Sequence, residues 1–159
     1  MGMTVLAATR PTEWDFPLFL HVLGAGILVG GLLTAVGMQV LAWNRRESGD
    51  LVAYSRGGFW ALLTVALPGW VLMRVAGEWT RSKEGWESPD PTWLGIGYFM
   101  ADLGFVVLLV TILVAGMGVR NVRKPGATAN LLGRIATPLA TLLLIGYLVA
   151  VWAMTAKPD

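Results

Sequence analysis

The chain has 159 residues, of which 55% are hydrophobic and only 14% charged. Soluble domains carry about 25% charged residues, so this chain lacks the polar surface that a solvated core needs, while its apolar content equally excludes disorder. The absence of cysteine removes disulfide scaffolds, thiolate metal sites and thiol redox chemistry, and a single histidine cannot build a bis-histidine site within one chain.

The first apolar stretch runs from about Phe16 to Trp43. It is longer than the core of a signal peptide and is preceded by Glu13, Trp14 and Asp15 rather than by a basic region. A retained transmembrane helix is expected, with Pro17 in its first turn, where a missing N–H breaks no intrahelical bond. After the polar stretch Asn44 to Gly58, a second span is expected from about Phe59 to Ala76, interrupted by Pro68-Gly69. Gly77 to Pro91 mixes Trp79 and Trp86 with charges, and reads as a short interfacial segment between the second and third helices. A third span follows from about Trp93 to Val119, then the basic connection Arg120 to Asn130. The fourth runs from about Leu131 to Thr155 and contains Pro138. Each span is near or beyond the ~20 residues needed to cross the hydrocarbon core. Backbone groups in lipid must satisfy one another, so such runs form helices, and their lack of alternation excludes a β-barrel. The expectation is an all-α, four-transmembrane-helix bundle forming a single domain over 1–159.

Basic residues suggest an orientation. Arg45, Arg46, Arg56, Arg120, Arg123, Lys124 and Arg134 fall on one side, against Arg10, Arg74, Arg81, Lys83 and Lys157 on the other. The positive-inside rule then places both termini on the outer side of the membrane. Trp14, Trp79, Trp86, Trp93 and Trp152 near one rim, with Trp43 and Trp60 near the other, form an interfacial belt. The basic loops meet anionic lipid headgroups, so the bilayer, and not nucleic acid, is the expected partner. Helix contacts in lipid depend on close backbone approach. The first helix, with Gly24, Gly26, Gly30, Gly31 and Gly37, is rich in the small residues that allow it, and Gly26 to Gly30 is a literal GxxxG. Pro68 and Pro138 are expected to kink their helices.

Three ionisable residues fall at membrane depth, where charge is costly and each is a candidate for function. His21 lies one turn into the first helix, Arg74 near the outer end of the second, and Asp102 two turns into the third. All three are expected in the same half of the bilayer. His21 shares a face with Gly24 and Ala25, pointing into the bundle. It can ligate haem iron or copper, shuttle a proton, or bind Asp102; the alternative is a hydrogen-bonded packing histidine. Asp102 must be paired with His21 or Arg74, protonated, or hydrated. Arg74 can stack on Trp70 and pair with Glu78, or receive an anionic group such as a haem propionate or a lipid phosphate. No catalytic motif is present: there is no Walker loop, nucleophile elbow or HExxH.

The stretch Leu20-His21-Val22-Leu23-Gly24-Ala25, followed by Gly30-Gly31, resembles the opening helix of small bacterial membrane proteins of the copper-resistance-D-like group. The likeness extends loosely to four helices, a basic loop after the first and a Pro-Gly in the second. It implies a multi-pass protein of the bacterial plasma membrane, and it implicates His21 alone as a metal or haem ligand; the cofactor itself is left open, with haem b one candidate. Three functions are weighed. The first, favoured, is a non-enzymatic accessory or assembly subunit of a membrane complex or homo-oligomer. The second is a haem- or metal-binding protein using His21, with Arg74 as a further cofactor contact. The third is a small proton- or cation-coupled transporter using Asp102 and His21.

Overall fold

The computed structural model describes residues 15–43, 48–84, 92–125, 127 and 129–156. Among these residues there are helices and no strand. They are α1 (Asp15–Trp43), α2 (Ser48–Ala61), a π-helical segment (Leu62–Ala66), α3 (Leu67–Glu84), α4 (Thr92–Val122) and α5 (Leu131–Ala156). α2, the π segment and α3 follow one another without a gap, so the chain makes four rods, each long and apolar enough to cross a membrane. α1, at 29 residues, is about 43 Å long and exceeds the ~30 Å hydrocarbon thickness.

The second rod extends at both ends beyond the expected Phe59 to Ala76. Its polar flanks stay helical because they emerge from the hydrocarbon and because α2 is anchored: Leu51 packs with Ala42 and Val122 in a small core of its own. Of the expected interfacial segment, Gly77 to Glu84 therefore belongs to α3, while residues 85–91 lie outside the described residues. Trp14 and Trp86 lie outside them as well.

The break expected at Pro68-Gly69 takes a specific form. Proline has no N–H, and its ring crowds the carbonyl four residues earlier, here that of Thr64. The helix responds by widening over Leu62–Ala66, where the N–H of Leu67 reaches back five residues to Leu62. Such π-bulges accommodate a lost bond without ending the helix. α5 likewise continues through Pro138.

The rods run up and down in antiparallel pairs. Gly24 faces Met73, Gly31 faces Ala66, and Gly58 faces Gln39, which fixes the register of α1 on the second rod. α4 and α5 are paired by Gly104 against Tyr147 and Gly118 against Asn130. The end at which α1 and α4 begin, and α3 and α5 finish, is termed the upper end. Leu28, Leu32, Leu62, Leu108 and Leu143 form the central core. Lipid tails are as apolar as leucine, so these contacts hold the bundle through close packing rather than through exclusion of water.

The small residues of α1 divide into two sets. A Cβ on Gly31 would stand 2.6 Å from the Ala66 nitrogen, and one on Gly69 2.6 Å from the Leu28 nitrogen, closer than atoms can approach. Those glycines, with Gly24, let α1 touch the second rod backbone to backbone. The literal GxxxG of Gly26 and Gly30, and Gly37 beyond it, face away, with nothing within 4 Å of an added Cβ.

The lower end is pinned by a buried polar cluster. Asn130 accepts a hydrogen bond from the Gly133 N–H at 2.8 Å and so caps α5, while its amide donates to Ser55 at 2.9 Å. Gln39 is buried beside them, but among the described residues neither its amide nitrogen nor its oxygen has a hydrogen-bond partner. The outward faces carry Leu113, Leu142 and Ile145, each more than half exposed. Contiguous apolar exposure on every rod is incompatible with a water-soluble surface. The chain is a multi-pass integral membrane protein.

Candidate functional site

In the lower half of the bundle α2 packs against both α1 and α4; in the upper half the rods part around a cavity of about 620 Å³. Its walls come from α1 (Leu18 to Val29), α3 (Met73 to Arg81), α4 (Leu94 to Ala101) and α5 (Tyr147 to Thr155). The separation follows from the sequence: α3 and α4 meet through long side chains rather than through glycine contacts. Trp70 stacks on Phe105 with ring centroids 4.0 Å apart and donates its indole N–H to the Ala101 carbonyl at 3.0 Å. The guanidinium groups of Arg74 and Arg81 each lie 5.0 Å from the Tyr98 ring. Val22 and Gly26 on α1, and Leu148 and Val151 on α5, are exposed residues of the lining. The cavity thus opens sideways, into lipid, between α1 and α5.

His21 and Arg74 both line this space, and Asp102 does not. The His21 Nδ1 lies 2.8 Å from the Met73 carbonyl oxygen. A carbonyl can only accept, so Nδ1 carries the proton, and in the neutral ring Nε2 keeps its lone pair. Gly77 makes room for the ring: a Cβ there would come within 2.9 Å of Nδ1. His21 is therefore turned to α3, not bonded to Asp102.

Asp102 is instead paired with Arg74, at 3.6 Å, on the outward side of the α3–α4 seam, and its side chain is 68% exposed. Arg74 also donates to Glu78, as expected from the four-residue spacing. Its aromatic neighbour is Tyr98 rather than the expected Trp70, because Trp70 is held by Phe105 and Ala101. Arg74 thus joins the seam to the cavity, whereas His21 and Asp102 share no hydrogen bond or ion pair.

Several features of the site escaped sequence reasoning. Tyr147 closes the floor, 3% exposed, with its hydroxyl in a notch left by Gly104. Met154 and Met100 fit their tips into similar notches at Gly97 and Gly146. Arg81 and Tyr98 complete the upper rim. The available signal was Tyr147 itself, a polar hydroxyl in the middle of an apolar run. Among the described residues the lining contains two arginines and a histidine but no carboxylate; the carboxylates paired with Arg74 lie outside it. Among the described residues no three His, Asp or Glu side chains come together to hold a metal ion. Comparison of the chain with models of known families, with curated proteins and with solved structures returns no match.

Proposed function

We propose that this membrane protein binds an amphiphile with an anionic head, admitted from the bilayer through the opening between α1 and α5. One observation carries the reading: an apolar cavity of about 620 Å³ with the Arg74 and Arg81 guanidinium groups at its rim and, among the described residues, no acid in its lining. The volume falls within the ~300–1,000 Å³ of small-molecule sites, which likewise combine apolar walls with a few placed polar groups. Arginine in a low-dielectric setting favours carboxylate or phosphate. A fluorescent polyene fatty acid, titrated into the protein in zwitterionic nanodiscs, should bind saturably, and its methyl ester more weakly. Gly26→Leu, whose Cβ meets nothing within 4 Å and whose side chain would narrow the opening, should weaken both. Equal binding of acid and ester, unaffected by Gly26→Leu, would refute the reading.

A second reading is favoured by the His21 ring. Metal-ligating histidines commonly donate their other N–H to a backbone carbonyl, as Nδ1 does here to Met73. A haem, which supplies a redox-active iron when bound, fits the same lining: Nε2 of His21 would hold the iron, and Arg74 and Arg81 the propionates. This accords with the resemblance of the opening helix to the copper-resistance-D-like group. A Soret band after haem supplementation, lost in His21→Ala, supports it; a colourless protein ends it. An accessory role in a larger complex is compatible with either ligand. A proton site shared by His21 and Asp102 draws less support, since one faces the cavity and the other the outer seam.

A further inference from the structure

His21 presents different chemistry on the two edges of its ring. Nδ1 and Cε1 are turned to α3, 2.9 and 3.1 Å from where a Cβ on Gly77 would stand, and Nδ1 gives its proton to the Met73 carbonyl. The other edge carries Nε2, which in the neutral ring has a lone pair and no proton. Among the described residues the buried polar side-chain atoms left without a partner belong to Gln39 and Tyr147. Nε2 is not one of these, and it accepts no hydrogen bond from the described residues, so it stays accessible on a ring that lines the cavity. The contacts of the ring also set its height. Met73 and Gly77 lie on either side of Arg74 along α3, and Arg81 is about one turn, ~6 Å, above Gly77. A head held at the arginines is therefore level with the imidazole. The two kinds of group ask for different atoms: a guanidinium takes an anionic oxygen, whereas a neutral imidazole nitrogen repels the lone pairs of that oxygen and takes an O–H.

We infer that the occupant is an anionic amphiphile whose head carries a hydroxyl beside its charge, and that His21 Nε2 accepts a hydrogen bond from that hydroxyl. This rests on the anionic-amphiphile reading and adds to it a neutral donor at the level of the charge. A phosphodiester of glycerol or of another polyol has both groups in one head; a fatty acid or an alkyl phosphodiester has the anion alone. The arginines attract anionic heads in general, and His21 selects among them. The bond to Met73 serves this selection, because it keeps the proton on Nδ1 and leaves Nε2 as an acceptor. A haem iron would take the same lone pair, so this occupant and haem exclude one another.

The test uses the full chain in nanodiscs of phosphatidylcholine, whose head has neither a net charge nor an O–H or N–H. Phosphatidylglycerol and phosphatidylpropanol with the same chains carry the same charge and differ in the head hydroxyls; each competes against the polyene fatty acid. For the wild type, phosphatidylglycerol should displace the probe at about fivefold lower concentration, the worth of one neutral hydrogen bond. In His21→Asn the shorter amide can donate to the Met73 carbonyl in place of Nδ1 but puts no acceptor where Nε2 was. Both lipids should still displace the probe from this variant, now at equal concentrations. Equal displacement by the two lipids in the wild type, which is decisive whether or not the variant folds, overturns the inference, as does a preference retained in His21→Asn; displacement by both anionic lipids still supports the underlying reading. If neither displaces the probe better than added phosphatidylcholine does, the underlying reading itself fails.

Discussion

Two neighbouring glycines of α1 should respond oppositely to the same methyl group. Gly30 faces outward with open space around it, and Gly31 abuts Ala66. Alanine is favoured over glycine inside a helix by about 0.8–1.0 kcal/mol, so Gly30→Ala should stabilise the bundle by up to that amount. At Gly31 the new carbon would lie 2.6 Å from the Ala66 nitrogen and 2.9 Å from its Cα. Carbon contacts settle near 3.5–4.0 Å, so the helices must part by about 1 Å. The obstacle is backbone, which no rotamer change can move aside. Overpacking of this kind costs about 1–3 kcal/mol, and separation of the rods forfeits neighbouring contacts too. The two variants should therefore differ by about 2 kcal/mol or more. Unfolding by SDS in mixed micelles, followed by circular dichroism, measures this directly. Equal midpoints for Gly30→Ala and Gly31→Ala would refute the assigned register of α1 on the second rod.

Other substitutions probe separate parts of the structure. Asn130→Ala removes the cap of α5 and leaves Ser55 without its amide donor; a loss of about 1–2 kcal/mol is expected in the same assay. Gln39→Met removes a buried amide that has no hydrogen-bond partner among the described residues, so the midpoint should hold or rise, whereas a fall would reveal a partner for the amide. Trp70→Phe keeps the stack on Phe105 but loses the bond to Ala101, with about 1 kcal/mol of destabilisation expected. At the α3–α4 seam, Arg74→Ala should be more damaging than Asp102→Asn. The first strands Asp102 at membrane depth and takes a cation from Glu78, and the second leaves Arg74 paired with Glu78; the reverse order of unfolding midpoints would contradict this pairing.

The rods were legible because length and hydropathy are the constraints that lipid imposes most strongly, and the boundaries of α1, α4 and α5 lie within a few residues of those expected. The second rod was underestimated because hydropathy marks where hydrocarbon ends, not where a helix ends; Ser48 to Gly58 is polar and still helical. The convergence of His21 and Arg74 on one space was readable from their depth, and the Arg74–Glu78 pair from its spacing. Depth alone does not fix the direction in which a side chain points, so the sequence left Asp102 between a pair with His21, a pair with Arg74, protonation and hydration; it pairs with Arg74, on the outer seam. The GxxxG motif named no partner, for a similar reason. Gly24 and Gly31, seven residues apart, are the contact pair, and the motif glycines between them face the other way. The cavity depends on which long side chains hold α3 from α4, a matter of three-dimensional neighbours that no periodicity records.

The most direct test of a lipid-accessible anion site is to ask what the protein carries out of a membrane. Chain extracted in mild detergent and analysed by native mass spectrometry should retain an anionic amphiphile in stoichiometric amount, and Gly26→Leu should retain less of it. A wild-type chain that carries only detergent or zwitterionic lipid, in the same amount as the variant, would contradict the assignment of the cavity as a binding site.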